Sequence, residues 1–474
     1  MTDIVNTDIC IIGAGSGGLT VAAVAAQLGV DTVLIERDKM GGDCLNYGCV
    51  PSKALLAAAH AAETARTARR FGIKSGPIDV DAEGVFGHVK GTIAEIALRD
   101  SVERFEGFGV TIILGDGRFA GPREVAVGDQ RIRARRFVIA TGSGPFVPPV
   151  PGLDQTPFLT NENIFDQKDL PDHLVVVGGG PIGIELAQAH HQLGAKVTVL
   201  EMFTMMPNDD PELVEILRQR LLQEGVEVLE GVKVVETEKT ENGVAVSIET
   251  KNGMEKVIGS HLLVAAGRRP NLKSLGLKEA GVQFEPMGIK VDARLRTTNK
   301  KIFAIGDVAG GHQFTHIAGY HAGIVIRNAL FRLPAKVNTA NYPWVTYTAP
   351  ELAQVGLTEK AAKEKYPGVR VVSWPFAEND RAVAEGETDG LVKVIADKKG
   401  YVLGASIVGP HAGELIQIWG LAISAKLKVG KIASMISPYP SLGEASKRAA
   451  GEFFTDQLFS GWTCSIVKFL TRFG

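Results

Sequence analysis

Two cysteines in one short segment are the residues best suited to do chemistry. The segment GGDCLNYGCVPSK places Cys44 and Cys49 five positions apart. On a regular helix this separation gives an axial rise of about 7.5 Å, which is beyond disulfide reach, so a bond requires Cys44 to lie in an irregular turn. Asn46 and Gly48 are turn-forming residues at that place. Pro51 favours a helix start nearby, whose positive end would lower the pKa of the Cys49 thiol.

The cysteine content bears on the compartment. Four cysteines in 474 residues are too few for a secreted disulfide framework, so a reducing, cytoplasmic location is expected. There a Cys44–Cys49 disulfide is more often catalytic than structural. The alternatives are reduced core cysteines or half a zinc site, but the nearest histidine, His60, has no companion, and we predict no metal site. Cys10 is expected in a strand core, and Cys464 is an inert thiol or an auxiliary redox thiol.

Composition and charge exclude several function classes. With 51 basic and 53 acidic residues the net charge is -2, which gives no basic surface for nucleic acid. The sequence contains no run of about 18 apolar residues, so no membrane-spanning helix is predicted. The start of the chain lacks the basic region of a secretory signal. A length of 474 residues predicts two or three domains.

A glycine-rich pattern occurs twice, each time between two short apolar runs. Each copy predicts a strand, a tight turn, a helix and a second strand, which is a βαβ unit. One glycine makes the turn, one lets the backbone approach a pyrophosphate, and one lets the helix pack on the strand. The glycines are Gly13, Gly15 and Gly18 in the first copy, and Gly178, Gly180 and Gly183 in the second.

An acidic residue ends the second strand of each unit, Glu36 in the first and Glu201 in the second. This is close to the spacing of a carboxylate that binds ribose hydroxyls, so two dinucleotide sites are predicted. Glu201 is followed by Met202, Phe203 and Thr204, with no basic residue for a 2′-phosphate, which favours NAD(H) over NADP(H). The alternative is that both βαβ units are purely structural and bind no ligand.

The rest of the chain predicts an α/β fold with two Rossmann-like dinucleotide-binding domains and a C-terminal α+β domain. Apolar strands at 137–142 and 262–267 end in small residues that let backbone pass close to a cofactor. A proline-rich stretch at 145–152 marks a domain boundary. A strand over residues 301–307 is expected to deliver Asp307 to a sheet edge where ligands bind. From Tyr342 onward, alternating strands are followed by helices.

Taken together, these motifs resemble the pyridine nucleotide-disulfide oxidoreductases, in the branch of dihydrolipoamide dehydrogenase and mercuric reductase. GGDCLNYGCVPSK, ATG, GGGPIGIE, AAGRRPN and AIGDV follow in family order over essentially the whole chain. The resemblance implies a homodimer that shares its active site, with FAD in the first Rossmann-like unit and NAD(H) in the second. The domains expected are 1–150 (FAD-binding, first part), 151–272 (NAD(P)-binding), 273–341 (FAD-binding, second part) and 342–474 (dimerisation).

The resemblance also implies residue roles. Cys49 is the thiol beside the flavin, Cys44 meets the substrate, and Lys53 lies near flavin N5, paired with Glu185; the alternative for Lys53 is a surface lysine. Pro181 stands where some family members carry an aromatic nicotinamide gate. The candidates for FAD are Gly13, Gly15, Ser16, Gly18, Glu36, Arg37, Gly42, Lys53, Gly117, Thr141, Gly142, Ser143, Asp307, Gln313, Phe314, Thr315 and His316. Those for NAD(H) are Gly178, Gly180, Pro181, Ile182, Gly183, Glu185, Glu201 and Gly267.

The substrate side departs from the pattern of dihydrolipoamide dehydrogenases, which have a catalytic His followed five residues later by Glu. This chain has Tyr439 and Glu444. A tyrosine with a pKa near 10 is a poor base at pH 7. Mercuric reductases have Tyr at this place but end in adjacent cysteines, whereas this tail has only Cys464. The histidines that could substitute as acid/base are His312, His316 and His411.

Three functional hypotheses follow. The first is an NADH-linked FAD enzyme that passes electrons through Cys44 and Cys49 to a small-molecule or protein-borne dithiol or disulfide. The second is a mercuric-reductase-like metal-ion reductase that uses Tyr439. The third is a membrane- or partner-docked flavin redox protein, and it depends on the apolar tail from Phe453, where Lys468 and Arg472 lie beside aromatic residues. This tail predicts a helix that docks on a membrane or a partner, or packs on its own dimer.

Overall fold

The computed structural model describes residues 4–473. The chain forms two compact units. The first comprises the residues up to Leu200 together with Val232–Val337, and the second comprises Glu201–Gly231 and the residues from Asn338 onward. In the described part of the chain, the helices are all too short or too polar to cross a membrane.

The largest sheet of the first unit has seven strands. They are β1 (Ile4–Ile12), β2 (Thr32–Glu36), β3 (Val110–Leu114), β4 (Arg118–Gly121), β5 (Glu124–Val127), β6 (Gln130–Ile139) and β18 (Ile302–Ala304). The order is β3-β2-β1-β6-β5-β4, and β18 pairs with β6. The pairs among β3, β2, β1, β6 and β18 are parallel, whereas β4, β5 and β6 pair antiparallel.

This sheet has a hydrophobic core on each face. In β1, Cys10 and Ile12 belong to one core, and Ile9 and Ile11 belong to the other. Since both faces of the central parallel strands are covered, β1 needs a continuous apolar run rather than an alternating one. Cys10 is completely buried, as the sequence predicted.

Four smaller sheets complete the strands of the first unit. In the first of these, β9 (Lys196–Glu201), β8 (His173–Val177) and β14 (His261–Val264) pair in parallel in that order. The others are antiparallel: β11 (Lys233–Thr240), β12 (Gly243–Thr250) and β13 (Gly253–Gly259); β7 (Ser143–Pro145) with β15 (Arg268–Pro270); and β16 (Phe284–Glu285) with β17 (Gly288–Ile289).

Helices cover the sheets of the first unit. They are α1 (Ser16–Gln27), α2 (Gly42–Asn46), α3 (Cys49–Thr67), α4 (Ala82–Ala97), α5 (Val102–Gly107), α6 (Pro181–Gln192) and α8 (Thr315–Ala329). One expected strand is shorter than the sequence predicted. It ends at Ala304, and Asp307 lies in the 3-10 turn Gly306–Ala309, because Gly306 takes a φ of 67° that interrupts the extended backbone.

The second unit is built around a five-stranded antiparallel sheet. Its strands are β19 (Pro343–Thr346), β20 (Glu351–Gly356), β21 (Arg370–Pro375), β22 (Leu391–Ala396) and β23 (Val402–Gly409), in the order β19-β20-β23-β22-β21. This unit also contains the short strand β10 (Glu227–Glu230). The helices are α7 (Pro211–Glu224), α9 (Glu359–Lys365), α10 (Asp380–Glu385), α11 (Ala412–Leu415), α12 (Gln417–Ser424), α13 (Val429–Ala433), α14 (Glu444–Glu452), α15 (Thr455–Leu458) and α16 (Gly461–Leu470).

A buried cation stabilises the second unit. The Lys393 Nζ atom on β22 lies 2.9 Å from Asp210, 2.7 Å from Glu212 and 3.0 Å from Glu359. Burial alone would lower the pKa of Lys393, but hydrogen bonds to these three carboxylates raise it. The ammonium group is therefore charged at all physiological pH values. Its ion pairs connect α7 and α9 to the sheet.

Candidate active site

The first glycine turn connects the end of β1 to α1. Gly13 has a φ of 106°, and a Cβ atom there would lie 2.4 Å from the Ala140 carbonyl oxygen. A Cβ atom at Gly18 would lie 1.9 Å from the Gly13 oxygen, so this close packing of helix and strand excludes any side chain. In contrast, the Cβ direction of Gly15 meets nothing within 4 Å. The amide end of α1 is thus open to an anion such as a pyrophosphate.

The second glycine turn, between β8 and α6, repeats this geometry closely. A Cβ atom at Gly178 would lie 2.4 Å from the Ala265 oxygen, and one at Gly183 would lie 2.0 Å from the Gly178 oxygen. Gly180 has nothing within 4 Å of its Cβ direction, like Gly15. Pro181 and Ile182 begin the helix after this turn. The internal sequence repeat therefore corresponds to a repeat of two anion-accepting turns.

Both acidic partners end the second strand of their unit. The two carboxylate oxygens of Glu36 accept hydrogen bonds from the amides of Ala14 (2.6 Å) and Asp38 (2.8 Å), which fixes this side chain beside the first glycine turn. Glu201 ends β9, and its carboxylate accepts a bond of 2.8 Å from the Phe203 amide. These bonds fix the orientation of both carboxylates, as a group that binds ribose hydroxyls requires.

The two cysteines lie on either side of a break between two helices. Cys44 is in the short helix α2, Tyr47 and Gly48 form the break, and Cys49 is the first residue of α3. The Asn46 side chain, just before the break, donates to two carbonyl oxygens near the start of α2. This irregular backbone allows the two thiols to hydrogen-bond to each other despite their separation in sequence.

Asn161 is a residue that sequence reasoning missed. It is buried, and its amide nitrogen donates to the Tyr47 carbonyl oxygen at 3.1 Å and to the Asp43 carboxylate at 3.3 Å. It therefore holds the break that brings the cysteines together. It lies in a stretch with no recognisable pattern, so the sequence carries no signal for it.

The surroundings of Cys49 favour its thiolate. Its pKa is lowered to about 6, first by the hydrogen bond with Cys44, then by one with the Thr315 hydroxyl and by the charge of Lys53; burial and Glu185 oppose this. The Cys49 Sγ atom lies 3.4 Å from Thr315 Oγ1. Hydrogen bonding with Cys49 and burial raise the pKa of Cys44. The first negative charge of the reduced pair therefore belongs to Cys49, where a helix N-terminus also stabilises it.

Lys53 lies one turn after Cys49 on α3. Its Nζ atom is 2.8 Å from Glu185 Oε2, and Glu185 is nearly buried in α6, directly after the second glycine turn. The dithiol segment is thereby linked to the helix of the second glycine repeat. A buried carboxylate requires such a counter-charge.

Arg268 organises the residues between the cysteines and the sheet edge, and sequence reasoning also missed it. Its guanidinium lies 3.0 Å from the Asp43 carboxylate and donates to the hydroxyl and carbonyl oxygens of Ser143, both at 2.9 Å. The Ser143 hydroxyl in turn donates to Asp307 at 2.6 Å. Burial raises the pKa of Asp307, whereas Ser143 and Arg268 lower it. The signal was present, since Arg268 directly follows the predicted Gly267.

The remaining FAD candidates lie around this part of the first unit. Ser16 begins α1, and its hydroxyl lies 3.4 Å from the Thr315 carbonyl oxygen. The Phe314 ring stacks on that of His316 at 5.4 Å. The others occupy turns or element ends: Arg37 follows β2, Gly42 begins α2, Gly117 separates β3 from β4, Thr141 and Gly142 follow β6, and Gln313 precedes α8.

The predicted substrate-side residues lie in the second unit. Tyr439 is 70% exposed, and its hydroxyl donates to the Asp380 carboxylate at 2.9 Å. This hydrogen bond, the charge of Asp380 and that of Glu444 raise the pKa of Tyr439. Glu444 is the first residue of α14. Tyr439 is therefore a weaker acid than an ordinary tyrosine and stays neutral at pH 7.

Comparisons with known proteins identify the family. The pyridine nucleotide-disulphide oxidoreductase profile matches residues 7–322, and the dimerisation-domain profile of the same family matches residues 342–450. A dihydrolipoyl dehydrogenase from Thermus scotoductus is 38% identical, covering 94% of this chain and 96% of its own length. A mercuric reductase from Bacillus cereus is 36% identical, covering 95% of this chain and 72% of its own length.

Solved structures show the same similarity. LpdA from Mycobacterium tuberculosis has a TM-score of 0.86 and 27% identity, covering 94% of this chain and 99% of its own. The Cu(II) complex of the HOCl-induced flavoprotein disulfide reductase RclA from Escherichia coli has a TM-score of 0.84 and 29% identity. The match covers 93% of this chain and 99% of the RclA chain. The predicted α/β fold is thereby confirmed.

The side chains present fit the two cofactors of this family. Two helix N-termini open at Gly15 and Gly180 can each bind a pyrophosphate, and Glu36 and Glu201 each offer a fixed carboxylate for ribose hydroxyls. The Cys44–Cys49 pair lies beside the first of the two glycine turns. The chain belongs to the pyridine nucleotide-disulphide oxidoreductase family and is an FAD- and NAD(H)-dependent homodimeric oxidoreductase of sulfur groups.

Proposed function

We propose that this enzyme transfers electrons between NAD(H) and a dithiol or disulfide carrier through the Cys44–Cys49 pair. The observation that supports it is the unequal environment of the two thiols, in which Cys49 is stabilised as a thiolate and Cys44 as a thiol. Cys44 is thereby the thiol that exchanges with the carrier, and Cys49 is the partner that closes the disulfide. Bound FAD relays the electron pair between nicotinamide and the dithiol.

The overall reaction balances in both directions. Oxidation of a carrier dithiol to its disulfide releases two electrons and two protons; NAD+ takes up a hydride, and one proton is released. When a carrier disulfide is reduced, the Cys44 thiol loses its proton and attacks a carrier sulfur. When a carrier dithiol is oxidised, Cys44 is released from the carrier sulfur and gains a proton. Lys53, held by Glu185, places a positive charge beside Cys49 that favours the anionic state of the reduced site.

We further propose which parts of the chain bind each cofactor and form the dimer interface. Residues 1–150 and 273–341 would bind FAD, residues 151–272 would bind NAD(H) through Glu201, and residues 342–474 would supply the dimer interface. In that arrangement the residue facing the carrier is Tyr439. We place the enzyme in the cytoplasm, and we propose that its C-terminal tail docks it on a surface.

The neutral Tyr439 narrows the substrate class. Its proton is engaged by Asp380, so the tyrosine does not remove a proton from a carrier thiol at pH 7. We therefore expect carriers whose thiols are already acidic, or a thiolate-bound metal ion, to react faster than an ordinary alkyl dithiol. The mercuric-reductase-like metal-ion reductase is the second candidate function, supported by this tyrosine and by similarity to mercuric reductases.

The decisive experiment is NADH oxidation with three acceptors: a lipoyl disulfide, an aromatic disulfide that yields an acidic thiol, and Hg(II) in excess thiol. Cys44→Ser should abolish turnover with each of them but retain NADH–ferricyanide activity, which needs only the flavin. Equal disulfide turnover in Cys44→Ser and wild type would contradict the proposal. A loss confined to Hg(II) in Tyr439→Phe would favour the second function.

A further inference from the structure

The segment after α14 ends in a helix that packs against very little of its own chain. Ser460 caps α16 by accepting a hydrogen bond from the Thr463 amide at 3.2 Å. The helix is therefore a defined element of ten residues rather than a frayed end. None of its side chains is buried in the described chain.

The exposed residues of α16, and of the turn over residues 471–473 that continues it, are sorted by face. Helical spacing places Trp462, Ile466, Phe469, Leu470 and Phe473 on one side. The Phe469 and Phe473 rings contact each other at 5.1 Å, which confirms their common face. Except for the half-buried Ile466, these side chains are between 56% and 76% exposed. The opposite side carries small polar residues and two basic ones: Cys464, Ser465, Lys468, Thr471 and Arg472.

The charges of this segment indicate what covers the apolar face. From Gln457 to Phe473 the chain has two basic residues, Lys468 and Arg472, and no acidic one. Both lie on the polar side, next to the aromatic stripe. A helix with this pattern lies in the plane of a bilayer, with its aromatic rings at the headgroup level and its cations beside anionic headgroups.

A second copy of the helix is a poorer occupant. Ten residues span about 15 Å, so pairing of two such helices alone falls far short of the roughly 800 Å² per partner of a stable protein interface.

We propose that α16 docks the enzyme on an anionic lipid surface. Phe459, which is 70% exposed just before the helix, extends the apolar face. This inference names the surface for the tail docking proposed above, and it does not depend on the electron-transfer chemistry. The enzyme is thereby positioned to serve a carrier or acceptor that is concentrated at the membrane.

The test is flotation of the FAD-loaded, full-length protein with vesicles of phosphatidylcholine alone or of phosphatidylcholine and phosphatidylglycerol in equal parts. We expect binding to the anionic vesicles only. The double variant Trp462→Ser, Phe469→Ser should bind at least about tenfold more weakly, because two apolar side chains no longer enter the bilayer. Lys468→Gln, Arg472→Gln should weaken binding about fivefold per charge removed.

The matched control replaces two apolar residues on β13, Met254→Ser and Ile258→Ser, which are 63% and 64% exposed. It should bind vesicles like the wild type. NADH–disulfide turnover of every variant in vesicle-free buffer shows that the fold is intact. Loss of that turnover in Cys44→Ser with normal flotation would separate the two proposals.

Three results would overturn the lipid proposal. The first is the absence of wild-type binding to anionic vesicles, and the second is equal binding to both vesicle types. The third is unchanged flotation of the Trp462→Ser, Phe469→Ser variant. If the wild type fails to float and this variant changes the oligomeric state in size-exclusion chromatography, the occupant is a second copy instead.

Discussion

The reactivity of Cys49 gives the sharpest test of the site. With a pKa of about 6 in place of 9.0, about nine-tenths of the Cys49 side chains would be thiolates at pH 7, against about one in a hundred for an ordinary thiol. A rate at a single pH is a poor measure, because a thiolate of low pKa is also less nucleophilic. The gain in thiolate and the loss in nucleophilicity offset each other to within about three- to sixfold. The midpoint of the pH profile is therefore the quantity to measure.

The perturbation is Thr315→Val, which removes the hydroxyl that hydrogen-bonds to Cys49 and nearly preserves the shape of the side chain. A hydrogen bond to a charged group contributes about 1.5 kcal/mol, which corresponds to about one pH unit. We expect the midpoint to rise from about 6 in the wild type to about 7 in the variant.

The assay is alkylation of the reduced protein by iodoacetamide between about pH 4 and 10, with Cys49 followed by peptide mass spectrometry after the reductant is removed. Thr92→Val is the control, because the Thr92 hydroxyl bonds only to the His88 carbonyl oxygen on α4. A wild-type midpoint near 9, or the same midpoint in Thr315→Val and wild type, would refute this account of the thiolate.

Three stability predictions follow from buried charges. Arg268→Met should lower the free energy of unfolding by about 2 kcal/mol, because it leaves Asp43 without its counter-charge, and urea denaturation would show this. Lys393→Met should cost more, about 3–5 kcal/mol, since both Lys393 and Asp210 are nearly buried; an unchanged urea midpoint would contradict it. Burial raises the pKa of Asp209 from 3.8 to about 6, so the folded state binds a proton more tightly than the unfolded state; this group destabilises the fold progressively as pH rises from 3.8 to about 6, and the effect is constant above that. Asp209→Asn should therefore be more stable than wild type by about 3 kcal/mol at pH 8 and nearly equal to it at about pH 3 in thermal denaturation; a constant difference would refute this.

The glycine turns were predictable because they rest on local sequence. Gly13 and Gly178 each have a close backbone neighbour that excludes a side chain, and each stands at the same place in a repeated pattern. Periodicity and spacing carry this kind of information. The helix start at Cys49 followed in the same way from Pro51.

The contacts that tune the site were harder to predict. Asn161 stabilises the break after α2 from a distant stretch of chain, and nothing in its neighbourhood marks it. The bond between Tyr439 and Asp380 joins residues in two different elements, so the sequence showed that a histidine was absent but not that the tyrosine was fixed. Such pairs depend on tertiary packing, which single-sequence patterns do not encode.

The properties of Cys49 arise from the combination of elements that neither glycine repeat contains alone. Lys53 lies on the helix that Cys49 begins, Glu185 lies on the helix of the second repeat, and Thr315 begins α8 far along the chain. Lys53 and Thr315 favour the thiolate through a charge and a hydrogen bond, whereas burial and Glu185 oppose it. Because contacts that lower the pKa of Cys49 act against others that raise it, a small shift of α6 or α8 would change the fraction of Cys49 thiolate at pH 7. The close packing around Gly183 on α6 therefore serves the chemistry as well as the fold, since it restricts how far this helix can move.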